Sequence, residues 1–292
     1  MFRKWMFCCL VCVLLATGCS RSSDDLIQDL YNDSAQVRRA AAGKLMLRRR
    51  DKELVDKIAA LLDGDNERVA YIATQILGSL ADSTAVEPLG KMLDHPNPEI
   101  RVRACWSLGT IGHDSALEHI VRGLKDEVSD VRYAAVVAIG HLHYLPALDY
   151  LYPMFRDEAD SVRVRAIQSL YYYRAVEGSQ ILGSDFASVV NDKSDGVRYV
   201  AIQALGGAWE DAEGWVFPDS TVAGELLIDS LNDENKFVRI EAINSLKKIR
   251  YEKAVPVLKQ MFDRASVDEE VAITEAIKHI ANEDFPPTVE NM

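Results

Sequence analysis

Cysteine is scarce in this chain, and almost all of it lies at one end. Of five cysteines in 292 residues, only Cys105 falls beyond position 19; the others are Cys8, Cys9, Cys12 and Cys19. A single cysteine cannot form a disulfide within the folded part of the chain. Cys105 occupies an apolar position of a recurring segment, which predicts a small buried core residue and not a reactive thiol.

Positive charge is also in deficit. The chain has 33 Lys and Arg against 45 Asp and Glu, a formal net charge of −12. Nucleic-acid binding depends on clustered cations, so this balance argues against a nucleic-acid partner. Basic residues gather in the first repeat, where we expect a solvated helix end and loop: Arg38, Arg39, Lys44, Arg48, Arg49, Arg50 and Lys52.

Catalytic motifs are absent from the sequence. It contains no nucleophile elbow, no phosphate-binding glycine loop and no paired-carboxylate motif. His113, His141 and His143 follow neighbouring predicted helices, but they lack a cysteine partner and the His-x-x-x-His spacing of a metal site. We therefore predict no enzymatic activity, no metal and no cofactor.

A repeated segment of the form Val-Arg-x-x-Ala-x-x-x-Leu-Gly dominates the sequence. Clear copies are VRYAAVVAIG at 131–140, IRVRACWSLG at 100–109 and VRYVAIQALG at 197–206. The copies open, at intervals of 31 to 41 residues, at Val37, Val69, Ile100, Val131, Val162, Val197, Val238 and a degenerate Ala272. A period of this length indicates a solenoid of stacked units.

Each repeat is predicted to contain two helices. Apolar residues recur at three- and four-residue spacing within the signature and within a preceding stretch, such as those starting at Ala85, Ala116, Ala147 and Ala254. We expect the signature glycines to adopt the left-handed conformation that ends a helix; they are Gly78, Gly109, Gly140 and Gly206. No stretch of the sequence predicts a strand.

This repeat resembles the HEAT-like repeats, specifically the short variety called PBS-lyase repeats, over roughly residues 25–283. The resemblance implies a right-handed superhelical solenoid of about eight two-helix repeats, with the second helices lining its concave side. Members of the family are scaffolds, adaptors and occasionally enzymes, so the resemblance does not fix the function. The repeated His-Glu dipeptides of the iron-dependent hydroxylase branch are absent.

The N-terminus resembles a bacterial lipoprotein signal. Arg3 and Lys4 precede an apolar run at 5–15, too short to span a bilayer, and Leu-Ala-Thr-Gly-Cys follows at 15–19. Leucine is commoner than alanine three residues before the cysteine. The pattern predicts acylation, for example by palmitate, at Cys19 and anchoring at the bacterial cell envelope, with simple secretion as the alternative. Ser20 in place of an aspartate favours the periplasmic side of the outer membrane, if the cell has two membranes.

These patterns predict the organisation of the chain. We expect a signal peptide at 1–18, a lipidated N-terminus with a short linker at 19–24, and the repeat solenoid at 25–284. The solenoid carries an insertion at 207–220, and the tail is 285–292.

The repeated arginines are predicted to be structural. They follow turns that carry an aspartate five residues before the opening valine, so a carboxylate–guanidinium ladder between stacked repeats is expected. Its members are Arg101, Arg132, Arg163, Arg198 and Arg239 with Asp126, Asp157, Asp192 and Asp233.

Aromatic residues mark the candidate partner-binding surface. The side of the second helices opposite the apolar stripe carries Tyr71, Arg103, Trp106, Tyr133, His141, Arg165, Tyr172 and Tyr199. Tyr, Trp and Arg are enriched at binding hot spots. Two interpretations stay open: these residues form a concave binding surface, or their rings pack between repeats as core.

The insertion adds Trp209, Trp215 and Phe217 in an acidic segment. Insertions in repeat arrays often lie on the binding face, although this one could also fold back over the groove edge.

We therefore predict an envelope-anchored, non-enzymatic scaffold that binds unknown envelope proteins. The alternatives are a sensor of small ligands or glycans and, third, a lyase-like enzyme.

Overall fold

The computed structural model describes residues 21–49, 51–173, 176, 180–207 and 217–286, and this part of the chain is an all-α solenoid without strands. The chain divides into two compact units between Ile111 and Gly112. The first unit contains α1 Ser23–Asp29, α2 Ala35–Met46, α3 Lys52–Ala59, α4 Glu67–Leu80, α5 Val86–Lys91 and α6 Pro98–Ile111. The second contains α7 Leu117–Gly123, α8 Ser129–Leu142, α9 Asp160–Tyr172, α10 Asp195–Leu205, α11 Ser220–Asp229, α12 Lys236–Lys248, α13 Val255–Phe262 and α14 Val267–Ala281.

The repeated signature forms the second helix of every repeat, namely α2, α4, α6, α8, α9, α10, α12 and α14. Helix α1 begins at Ser23, where Ser22 and Asp25 form a capping box, so helical structure starts inside the expected 19–24 linker. None of the helices in the described ranges has the length and apolar character needed to cross a bilayer.

The apolar stripe of the signature builds the core. In α8, Val131, Ala135 and Ile139 are fully buried, and Cys105 in α6 is a buried free thiol. Burying one such aliphatic side chain stabilises a fold by roughly 1.5–3 kcal/mol. The spacing of the apolar residues in the signature therefore predicts which side of each second helix is buried.

The first segment of the fifth repeat differs from the expected helix. It consists of two 3₁₀ segments, Leu145–Tyr150 and Tyr152–Arg156. Pro146 and Pro153 lie at the start of these segments. Proline has no backbone N–H to donate and clashes with the preceding turn, so an uninterrupted α-helix cannot form here. The prediction of an α-helix from Ala147 is therefore wrong in its helix type.

The left-handed positions also differ from prediction. Gly78 and Gly140 lie inside the last turns of α4 and α8. The residue with positive φ comes three places later, at Ala81 (φ 55°) and His143 (φ 48°). Gly109 likewise lies inside α6, and Gly206 has a right-handed φ of −78°; the left-handed glycines are Gly112 and Gly207. The expectation that the signature glycines take the left-handed position is therefore wrong in all four repeats.

Close packing between neighbouring second helices explains the signature glycines. A Cβ placed on Gly78 would lie 2.6 Å from Ser107 Oγ and 2.9 Å from Ser107 Cα. The same relation joins Gly140 to Ser169, at 2.9 Å from its Oγ. Ser107 Oγ donates a hydrogen bond of 2.9 Å to the Thr74 carbonyl, which satisfies the buried hydroxyl. Glycine is required here because two backbones approach each other.

Candidate functional site

The repeated arginines link consecutive turns. Arg132 donates from Nε to Asp157 Oδ2 at 2.7 Å and from Nη2 to Asp157 Oδ1 at 2.9 Å. Its Nη1 donates to the Asp126 carbonyl at 2.8 Å, in the turn that precedes its own helix. Arg132 thus binds the backbone of its own turn and the carboxylate of the next turn, a bidentate geometry that lysine cannot reproduce.

The same arrangement continues along the second unit. Arg163 pairs with Asp192 at 2.8 and 2.9 Å, Arg198 pairs with Asp233 at 2.6 and 2.9 Å, and Arg239 pairs with Glu269 at 2.6 Å. In the first unit, Arg101 Nη1 donates to the carbonyls of His95 and Pro96 at 3.0 and 3.1 Å.

Each aspartate of this ladder has a second role, since it also accepts a hydrogen bond from the N–H two residues later. Asp126 accepts from Val128 and Asp157 accepts from Ala159, both at 2.9 Å. Burial raises the pKa of Asp157, but hydrogen bonds from Arg132 and the Ala159 N–H, with the Arg132 charge, outweigh it and hold the pKa below its ordinary value. Arg132 and Arg163 are 7% and 3% exposed, which leaves them inaccessible to a ligand.

On the other side of the second helices, tyrosines pair with the following repeat. Arg165 lies 4.9 Å from the ring centroid of Tyr133 and donates from Nε to its hydroxyl at 3.0 Å. Arg103 lies at the same 4.9 Å over Tyr71 and donates from Nη2 to its hydroxyl. All four side chains are partly exposed. Each pair therefore bridges two repeats and also presents accessible surface, while partner binding through these residues stays a prediction.

In a third pair, between Tyr199 and Glu241, a glutamate occupies the position of the arginine. Glu241, 8% exposed, takes the place of Arg165 and accepts a hydrogen bond from Tyr199. Burial raises the pKa of Glu241, with the Tyr199 hydrogen bond and the Lys248 charge opposing it. Burial and the Glu241 carboxylate raise the pKa of Tyr199. Glu241 was not predicted as a site residue, although it occupies the position of the repeat that holds Arg103 and Arg165 in other copies.

The most accessible predicted residues lie on α8 and α9. Tyr172 is 48% exposed, and His141, at the equivalent position of the preceding helix, is exposed. Partial burial, followed by the charges of His143 and Arg165, lowers the pKa of His141. With the Tyr133–Arg165 pair, these residues form what we call the α8–α9 surface: Tyr133, His141, Arg165 and Tyr172.

Of the remaining predicted residues, one is buried, one is half-buried and three lie outside the described residues. Phe217 is 3% exposed and packs edge-on against Phe186, with ring centroids 5.6 Å apart, so its assignment to a partner-binding surface is corrected to core. Trp106 is half-buried in the first unit. Trp209, Trp215 and Cys19 lie outside the described residues.

The histidines have local roles. His113 Nδ1 lies 2.8 Å from Ser115 Oγ and accepts from the Ser115 N–H, which caps the next 3₁₀ segment. His143 holds the left-handed position after α8, and its ring lies 6.5 Å from that of Tyr173.

Stacked two-helix repeats joined by an arginine ladder define a helical-repeat protein. The family model for HEAT repeats matches residues 86–171 and 185–278, more than half of the chain. The chain belongs to the HEAT-repeat family.

Solved structures share this fold at low sequence identity. YibA of Escherichia coli is 20% identical with a TM-score of 0.59, over 90% of this chain and 93% of that one. A chain of the full-length AP-3 complex is 18% identical with a TM-score of 0.59, over 88% of this chain and 50% of that one. The CpcE–CpcF phycocyanin lyase of Nostoc is 17% identical with a TM-score of 0.45, over 91% and 96% of the two chains. A search of curated proteins finds no match. Likeness at this level concerns the fold alone.

Proposed function

We propose that this HEAT-repeat protein is a non-enzymatic scaffold that binds a protein partner through the second-helix side carrying the α8–α9 surface. Helical-repeat folds present extended surfaces of this kind for protein interaction. The observation that carries the proposal is the Tyr133–Arg165 pair flanked by exposed His141 and Tyr172.

Pre-organisation makes this group suitable for binding. The Arg165 side chain is already fixed by its hydrogen bond to Tyr133, so less rotamer entropy is lost when a partner docks. Tyrosine and arginine in such settings contribute disproportionately to binding energy. The ladder arginines are by contrast engaged in bonds to the turns, and four of them are buried: Arg101, Arg132, Arg163 and Arg198.

We further propose that the scaffold is anchored at the bacterial envelope by lipid on Cys19. Support comes from the lipobox-like 15–19 segment and from the first repeat. Arg48 donates hydrogen bonds to Ser23 Oγ and to the Arg21 carbonyl, immediately after the proposed anchor. Its neighbour Leu47 is 83% exposed. Leu47 and the cationic Arg49, on either side of the Arg48 that binds Arg21 and Ser23, match the second signal that stable lipid anchoring needs.

Metabolic labelling with a fatty-acid analogue tests the anchor. Cys19→Ser is expected to lose the label and to remain an uncleaved or soluble precursor, whereas the control Cys12→Ser keeps both label and membrane retention. Labelling and retention of Cys19→Ser at the level of the unchanged chain would overturn the anchoring proposal.

Affinity purification from envelope extracts tests the scaffold. The unchanged chain is expected to retain a protein partner, and the double variant His141→Ala/Tyr172→Ala to lose it, because truncation of aromatic anchors commonly weakens binding by about 1–3 kcal/mol. The control Phe237→Ala, at a 62% exposed ring elsewhere in the unit, is expected to bind normally. If both variants retain the partner equally, the partner binds elsewhere on the chain. Glycan binding that is lost in the double variant would favour the sensor.

A further inference from the structure

A basic cavity lies between the C-terminal ends of α12 and α14, outside the α8–α9 surface. Its volume is about 710 Å³, it is open to solvent, and five of its seven lining residues are exposed. Lys247 and Arg250 line it from the end of α12, and Lys278 and His279 line it from the last turn of α14. Glu275 is the one acidic side chain in the lining.

The charge of the cavity is opposite to that of the chain. Three permanent cations and a histidine face one carboxylate in a protein whose net charge is −12. Lys247 pairs with Glu275 at 3.0 Å, which neutralises one cation. Lys278 pairs with Asp284 at 3.2 Å, but both side chains are about two-thirds exposed, so water screens that pair.

Arg250 is the distinctive residue of the cavity. It forms no ion pair with any residue in the described ranges, its side chain is exposed, and it is one of the lining residues. Its φ of 52° is left-handed, a conformation that glycine adopts without the steric cost that arginine bears. The Tyr251 N–H donates to the Leu246 carbonyl at 3.1 Å across it, so the turn itself requires that conformation. Glycine would adopt this backbone conformation with less strain, so the turn does not explain why residue 250 is an arginine.

Helix dipoles explain part of the cluster. Cations in a last turn interact favourably with the partial negative charge of a helix C-terminus. Lys247, Lys278 and His279 occupy such positions. Arg250 lies beyond the end of α12 at a strained backbone position, so the dipole effect accounts least well for this residue.

We propose that this cavity binds a phosphate-bearing ligand. The Arg250 guanidinium offers planar donors that match phosphate oxygens, and Lys278 and His279 add charge from the facing helix. The volume exceeds that of a phosphate group alone, and Ile280 in the lining provides apolar contact for the organic part of a phosphate ester. A soluble phosphate monoester and a phospholipid headgroup share this chemistry.

Calorimetry on the purified full chain tests the proposal, with glycerol 3-phosphate as the probe at low ionic strength. The key variant is Arg250→Gly, because glycine suits the left-handed backbone while the guanidinium is lost. We expect phosphate binding to weaken about tenfold or more while the melting temperature stays equal or rises. Lys278→Gln is expected to weaken binding as well. The control Lys193→Gln removes one exposed positive charge elsewhere and is expected to bind normally.

Vesicle flotation identifies the source of the phosphate. Vesicles of phosphatidylcholine and phosphatidylglycerol in equal parts are compared with pure phosphatidylcholine, using the Cys19→Ser chain so that an acyl anchor does not contribute. Arg250-dependent binding to the mixed vesicles alone assigns a lipid headgroup, and Arg250-dependent calorimetric binding assigns a soluble ester. Unchanged affinity in Arg250→Gly, or no binding of either probe by the parent chain, would overturn the proposal.

Discussion

Ser107 and Gly78 meet where two neighbouring second helices touch, with the serine hydroxyl 2.6 Å from the place where a Cβ on Gly78 would lie. The hydroxyl also donates to the Thr74 carbonyl, one turn before the glycine. Gly140 and Ser169 repeat the contact in the second unit. Spacing between adjacent repeats is therefore set by backbone approach and not by large interdigitating side chains.

Gly78→Ala is expected to destabilise the first unit by about 1–3 kcal/mol, because the new methyl group overlaps the Ser107 backbone. Gly43→Ala is the matched control, since nothing lies within 4 Å of a Cβ there and alanine favours the interior of α2. That control is expected to gain roughly 0.5–1 kcal/mol. Urea unfolding of both variants measures the difference, and equal effects would refute the close-approach explanation.

A double-mutant cycle on Arg132 and Asp157 measures the ladder. Arg132→Ala is expected to cost about 1–3 kcal/mol, because it removes the charged donor of the buried Asp157 carboxylate and of the Asp126 carbonyl. The exposed Lys236–Asp268 pair, at 3.1 Å, serves as the comparison and is expected to show a much smaller coupling. Similar coupling in the two cycles would mean that burial does not strengthen the ladder.

Glu269 is expected to make the free energy of unfolding decrease as the pH falls. Its burial raises its pKa, but hydrogen bonds from Arg239 and Ser266, with the Arg239 charge, prevail and lower the pKa to about 2. The pKa of glutamate in an unfolded chain is about 4.3. Above that pH the ionised Glu269 stabilises the fold by roughly 2–3 kcal/mol. This stabilisation is lost as the pH falls from about 4.3 to about 2. Acid titration of unfolding should show a shallower dependence in Glu269→Gln than in the control Glu270→Gln. An unchanged slope in Glu269→Gln would contradict the assignment.

The repeat period predicts the fold well because each signature residue has the same surroundings in successive repeats. Contacts that depend on how one repeat sits on the next are harder to predict. The sequence predicts a ladder between stacked repeats but not which carboxylate each arginine binds, and the structure pairs Arg132 with Asp157 of the next repeat. The glycines were assigned to helix ends because the sequence does not record how closely two backbones approach.

Single residues outside the repeat pattern were predicted less well. Phe217 lies in an acidic stretch that suggests exposure, yet its ring joins the core beside Phe186. The basic cavity also escaped prediction, because Arg250 and Lys278 are 28 positions apart in the sequence and meet only where two helices end. Such sites depend on tertiary placement and leave little periodic signal.

Site-specific photo-crosslinking tests the partner-binding claim most directly. A photoreactive phenylalanine analogue replaces exposed Tyr172 or, as the control, exposed Phe237 in cells that produce the protein. The account predicts a discrete protein adduct from position 172 and none from position 237, with the adduct lost on adding His141→Ala. An adduct from position 237 alone, or no adduct from position 172, would contradict the assignment of the α8–α9 surface as the binding site.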